Sequence, residues 1–358
     1  MKLDQIRRHV GQMFMVGFEG KSVTDDLKKL IQDYYVGGIV LFERNIESPA
    51  QVAELTNEIQ SLNTKTPLFI SVDQEGGRVR RLKEPFTDFG APQQFSKIDS
   101  PKLTFEAAFA MAKELRAVGI NFNFAPVVDV HTNPQNPIIG DRAFSSDPEI
   151  VAKIASGFIR GLQRGGVISC AKHFPGHGDT QTDSHLELPV VNHSLERLQQ
   201  TEWLPFERVI KGGVETVMTA HILNPNLDPE LPATLSKKTL DYLRGPLRFS
   251  RVIITDDLEM KGISDHYSIE DATLKALDAG VDIILICKTL EKQILAIEKV
   301  LRGVLDIKIP VPRIEESSER ITKVRNRYIV PFTPVDTATI AQVVGCEEHK
   351  NLAKQFFA

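Results

Sequence analysis

Eight short aliphatic runs, separated by longer segments of helical period, constrain this chain more than any other feature of its 358 residues. They lie at Gln12 to Gly17, Gly38 to Phe42, Leu68 to Val72, Phe122 to Pro126, Ser169 to His173, Val214 to Ala220, Val252 to Thr255 and Asp282 to Cys287. Alternation of β-branched runs with helical segments argues for βα units around a parallel sheet. Eight is the number that closes a barrel, so the expected fold is α/β: a single TIM-type (β/α)8 barrel with extra C-terminal helices.

The intervening segments support that reading. Val52, Leu55, Ile59 and Leu62 recur three and four apart, as do Ile150, Val151, Ile154, Phe158 and Leu162, so each set can bury one helical face. Ser48-Pro49-Ala50-Gln51 and Ser268-Ile269-Glu270-Asp271 are capping boxes that mark helix starts. After the eighth run, Leu290 to Val300 and Ile314 to Tyr328 read as amphipathic helices, and Val330-Pro331-Phe332-Thr333-Pro334 breaks the pattern. No repeat or Ser/Gly-rich linker divides the chain. The expected organisation is a barrel over residues 1–334 and a helical tail over 335–358 that packs on the barrel or on a neighbouring subunit.

Charge and cysteine usage narrow the partners. Forty-three basic against 47 acidic residues give a net charge of -4, without the basic excess that attracts nucleic acid. No apolar run reaches the roughly 18 residues of a membrane span, and the first residues lack the apolar stretch of a secretory signal. Cys170, Cys287 and Cys346 are odd in number and widely spaced, with no metal-binding pattern. These features predict a cytoplasmic protein that binds neither nucleic acid nor membrane; a monomer is expected, with no feature excluding an oligomer.

Chemistry in such a barrel sits where the strands end. The third run ends in Asp73-Gln74-Glu75-Gly76-Gly77-Arg78-Val79-Arg80-Arg81, the fifth in Lys172-His173, the sixth in Thr219-Ala220-His221 and the seventh in Asp256-Asp257. In the first of these stretches the paired glycines suit either a close backbone approach to a ligand or a tight turn with solvated arginines. The densest cluster runs from Lys172 to His185, and its glycines and proline make it a loop that can lie over a pocket. Within it, Asp183 and His185 are spaced so that the carboxylate can orient the imidazole and raise its basicity. A polar surface loop, or a zinc site from His173, His177 and His185, is also open on pattern alone. Strand alternation sends Asp256 and Asp257 to opposite faces, making one a candidate nucleophile and the other, for which Asp257 is better suited, an N-cap of the next helix.

With these residues in view, the chain resembles glycoside hydrolase family 3, and within it the bacterial β-N-acetylhexosaminidases that recycle cell-wall fragments. The resemblance rests on Gly11 to Phe18, Val72 to Val79, Asn123 to Val130, the Lys172 to His185 loop, and Ile254-Thr255-Asp256-Asp257-Leu258-Glu259-Met260. It implies a nucleophile at Asp256, a general acid/base at His185 with Asp183 as its partner, and sugar-hydroxyl contacts from Asp73, Arg81, Arg142, Lys172 and His173. Without it, Arg142 sits in an ordinary loop, and nothing separates Arg81 from Arg78 or Arg80.

The implied reaction is double displacement with retention at the anomeric carbon. Retaining glycosidases usually employ two carboxyl groups about 5–5.5 Å apart, so a histidine acid/base is a departure. A neutral imidazole beside the 2-acetamido group avoids a second negative charge near the nucleophile. The chemistry calls for no metal and no organic cofactor. The implied substrate is a small carbohydrate or muropeptide: N-acetylglucosamine joined to anhydro-N-acetylmuramic acid, with or without peptide. A phosphorylase or broad β-glycosidase on the same scaffold, and a non-catalytic sugar-binding protein, are the alternatives.

Overall fold

Each of the eight aliphatic runs contributes a strand, and together they close on themselves. In the computed structural model, which describes residues 2–63, 65–182, 184 and 187–357, the barrel strands are β1 (Phe14–Val16), β2 (Gly38–Leu41), β3 (Phe69–Val72), β6 (Phe122–Asn123), β7 (Ile168–Phe174), β8 (Thr216–Thr219), β9 (Val252–Asp257) and β10 (Ile283–Ile286). They follow one another around the barrel in chain order, and β10 pairs back with β1, every pair parallel. A small antiparallel hairpin, β4 (Gln74–Gly76) and β5 (Val79–Arg80), follows β3 at the rim. The fold is thus the TIM-type barrel that strand count predicted. Aliphatic side chains dominate because helices cover the outer face and the opposite strands fill the inner one.

Helix starts follow local chemistry. The Ser48 hydroxyl accepts from Gln51 N at 3.2 Å with Pro49 in the first helical position, and Ser268 accepts from Asp271 N at 3.1 Å. Ser100-Pro101 and Asp147-Pro148 use the same device for the helices Pro101–Ala117 and Pro148–Arg164, whose starts had no assignment from the sequence.

Strand ends depart from the expected bounds where partners intervene. The fourth run shortens to two residues: Pro126 has no N–H to continue the ladder, although Ala125 O and Pro126 O still accept from Cys170 N and Lys172 N. In β7, Lys172 pairs with Met218 and Phe174 with Thr219, so His173 is an inserted residue. In β9, Ile254 pairs with Ile283 and Asp257 with Leu285, three steps against two. Both irregularities are bulges at the C-terminal ends of strands.

The opposite end of the barrel is sealed by charge. Asp282, fully buried at the start of β10, accepts from Arg244 at 2.6 Å, Arg320 at 2.9 Å, Ser317 at 2.6 Å and the amide of Ile253 at 2.9 Å. The C-terminal tail forms short helical segments, the longest Glu347–Lys354, and packs against the helix Pro101–Ala117. Buried Glu114 of that helix accepts from His349 Nδ1 at 2.8 Å, Gly345 N at 3.0 Å and Thr87 N at 2.9 Å. The Phe356 ring lies 4.5 Å from that of Phe95 and 6.2 Å from that of Phe89. Among the described residues no helix is long and apolar enough to cross a membrane.

Candidate active site

At the C-terminal ends of the strands lies a cavity of about 350 Å³, bordered by Asp73, Arg81, Arg142, Lys172, His173 and Asp256 together. Six residues from four separate stretches of the sequence therefore meet at one place. Asp183 and His185 lie outside the described residues; Ser184 between them borders the same cavity.

Lys172 is the centre of its charge network. The bulge at His173 brings Lys172 and the next side chain both to the cavity, which simple alternation would forbid. Lys172 Nζ lies 2.7 Å from Asp73 Oδ1 and 2.6 Å from Glu75 Oε1. Glu75, 1% exposed, also takes a bidentate pair from Arg142, with both contacts at 2.8 Å. Burial alone would raise the Glu75 carboxyl, but Arg142 and Lys172 outweigh it and hold the group well below the usual carboxylate range. Burial likewise disfavours the charged forms of Lys172 and Arg142, and the adjoining carboxylates reverse that. Glu75, Lys172 and Arg142 are therefore all charged near neutral pH.

The hairpin sorts its three arginines. Arg78 binds Asp141 at 2.8 Å and the carbonyls of Ile138 and Ile139, fastening the hairpin to the turn Gly140–Arg142. Arg80 turns away to Asp88 at 2.7 Å. Arg81 reaches Asp73 at 3.8 Å across the cavity wall. Gly76 and Gly77, at φ 112° and 56°, make the turn, and a Cβ at Gly76 would meet Gly90 O at 2.3 Å. The close approach is to the chain's own segment, so the turn is the correct account of these glycines.

The histidines divide by environment. His173 Nδ1 lies 2.7 Å from Asp129 Oδ2, so Nδ1 carries a hydrogen and Nε2 is the remaining nitrogen. Burial would raise the Asp129 carboxyl, but His173 and the amide of His177 keep it low. His177 Nδ1 lies 2.8 Å from Thr180 Oγ1 and Nε2 3.1 Å from Ser184 Oγ; burial and His173 push its pKa down to about 4. It stays neutral and braces the loop. Among the described residues no group of three or more His, Cys, Asp or Glu side chains could hold a metal ion.

Both carboxylates at the end of β9 border the cavity, which corrects the expectation from alternation: the register slip before Asp257 removes the two-residue period. Asp256 Oδ1 accepts from the amide of Asp257 at 2.8 Å. Asp257 caps no helix, since the next one starts at Lys261 after Met260; its Oδ1 accepts from Glu259 N at 3.0 Å and Cys287 N at 3.2 Å. Burial, with Glu259 and Asp256 nearby, pushes the Asp257 carboxyl up to about 7. Asp256 therefore has a neighbour that is substantially protonated near neutral pH.

Two carboxylates central to this site, Glu75 and Asp129, had no role assigned from sequence. Each had a signal: Glu75 stands two residues from Asp73, hence on the same side of an extended chain, and Asp129 is a lone charge in the apolar run Phe124 to Val130.

Residues 5–324 match the glycosyl hydrolase family 3 N-terminal domain. The chain is 37% identical to Beta-hexosaminidase A of Pseudoalteromonas piscicida, covering 92% of this chain and 60% of that protein. It is 41% identical to a Beta-hexosaminidase of Thioalkalivibrio sulfidiphilus, over 76% of this chain and 80% of that one. Among solved structures, the family 3 β-N-acetylglucosaminidase from Paenibacillus sp. str. FPU-7 superposes with a TM-score of 0.92 at 40% identity, covering 98% of this chain and 68% of that one. The chain thus spans three-fifths of the Pseudoalteromonas relative's length and about two-thirds of the Paenibacillus one.

Proposed function

This chain belongs to glycosyl hydrolase family 3, and from that membership we propose that it is a retaining exo-β-N-acetylglucosaminidase. The observation that carries the reading is the Asp256 carboxylate on one wall of a cavity whose other walls present Lys172, Asp73, Arg142, Arg81 and His173. A cavity of about 350 Å³ has the scale of a single terminal sugar. The acceptors and donors on its walls suit the hydroxyls of such a ring, with Lys172 and Arg142 preorganised by Glu75.

In this mechanism Asp256 attacks the anomeric carbon while His185 protonates the leaving oxygen. The glycosyl-enzyme is then hydrolysed by water that His185 deprotonates, and Asp183 supports the charge on the ring. Burial holds the adjoining Asp257 carboxyl up to about 7, so near neutral pH it places less than a full negative charge beside Asp256. The substrate we infer is N-acetylglucosamine linked to anhydro-N-acetylmuramic acid, with or without peptide. Three free cysteines support a reducing, cytoplasmic setting for that reaction.

Release of p-nitrophenol from its β-N-acetylglucosaminide and its β-glucoside tests the reading, with and without phosphate. Hydrolysis of the first alone, independent of phosphate, lost by several orders of magnitude in Asp256→Asn and strongly reduced in His185→Ala, is the expected result. Sugar phosphate as the product identifies a phosphorylase instead, and binding without turnover a sugar-binding protein.

A further inference from the structure

The run Thr219-Ala220-His221 at the end of β8 carries a histidine that the proposed reaction leaves without a task. Its ring is fully buried, 0% exposed, and both nitrogens are engaged. Nδ1 lies 2.8 Å from Thr234 Oγ1, which also lies 2.9 Å from Thr219 Oγ1 and from Ala220 O. Nε2 lies 2.9 Å from the carbonyl oxygen of Asp257. A carbonyl only accepts, so Nε2 carries a hydrogen in either charge state of the ring.

Asp257 is the residue through which this contact reaches the cavity. Its amide N–H donates to Asp256 Oδ1 at 2.8 Å, its carbonyl accepts from His221, and its carboxylate receives the amides of Glu259 and Cys287. The peptide that follows its Cα is thus held by His221, and the peptide that precedes it carries the N–H that meets Asp256. We propose that His221 is a positioning residue for Asp256: by holding the Asp257 carbonyl across the β8–β9 seam it sets the angle of the nucleophilic carboxylate. The inference rests on the reading of Asp256 as the nucleophile.

Two substitutions separate positioning from mere filling of space. His221→Gln keeps an N–H able to reach the Asp257 carbonyl, whereas His221→Leu keeps bulk and removes the donor. Turnover of the aryl N-acetylglucosaminide is measured alongside inhibition by N-acetylglucosamine and the rate of covalent trapping by a 5-fluoro glycosyl fluoride, followed by intact mass. In His221→Leu, kcat and the trapping rate are expected to fall about 10²-fold while KM and product inhibition stay within about twofold, because misplacement of a reacting group acts on the chemical step. His221→Gln is expected to recover most of that loss. Wild-type trapping in the Leu variant, or a Gln variant no faster than Leu, overturns the role of His221. Peptide mapping of the wild-type adduct distinguishes this failure from the other: an adduct on a residue other than Asp256 overturns the nucleophile assignment, and the His221 role with it.

Discussion

Asp257 shows how one side chain can make stability and chemistry pull on the same proton. Its carboxyl rises from the ordinary 3.8 to about 7 on folding, chiefly through burial. Below the lower value both folded and unfolded chains hold the proton; between the two the unfolded chain releases it and the folded chain keeps it. This contribution to stability is therefore full in acid, declines as pH rises to about 7, and is level above that. In Asp257→Asn the side-chain oxygen can still accept from Glu259 N and Cys287 N, and the titration is gone. The melting temperature of the variant relative to wild type is expected to rise between about pH 4 and about pH 8 in calorimetric scans; a difference independent of pH sinks the assignment.

Among elements, strands were the most legible from sequence, because a buried parallel strand must be a short aliphatic run and eight of them admit few closures. The bulges were not legible. Whether His173 or Asp257 interrupts a ladder depends on pairing with Met218, Thr219 and Leu285, more than 25 positions away in each case, and no local pattern encodes it. For the same reason Lys172 and Asp256 stood out by type and place, whereas Glu75 and Asp129 emerged only with their partners Arg142 and His173. Arg142 needed family resemblance, since a three-residue turn pinned by Arg78 has no sequence signature. The tail is a further element whose role depends on distant contacts: Phe356 backs Phe89, beside the Gly90–Ala91 segment that Gly76 and Gly77 touch. Phe356→Ala is expected to cost about 3–5 kcal/mol of stability and to raise KM more than it lowers kcat. Denaturant melts and steady-state kinetics check both, and a stability loss with KM unmoved denies the link to the hairpin.

Across the whole molecule, binding chemistry and structural closure occupy opposite ends of the barrel. The cavity groups stand at strand ends, while Asp282 with Arg244 and Arg320 stands at a strand start, joining β10 to two covering helices, Lys237–Arg244 and Val311–Tyr328. Asp282→Asn leaves those cations short of a counter-charge, a loss of about 3–5 kcal/mol for a buried pair, and is expected to lower the unfolding midpoint without altering KM. A matching change in KM counts against this separation.

The same polarity decides how the protein should be held. The first helix, Leu3–Gly11, runs into the start of β1, so its C-terminal end lies at the sealed end. Exposed Phe357 shares a hollow with Arg80, on the hairpin whose neighbouring residues Val79 and Arg81 border the cavity. Tethered to a bead or sensor chip through residue 357, the barrel carries the linker beside its own doorway.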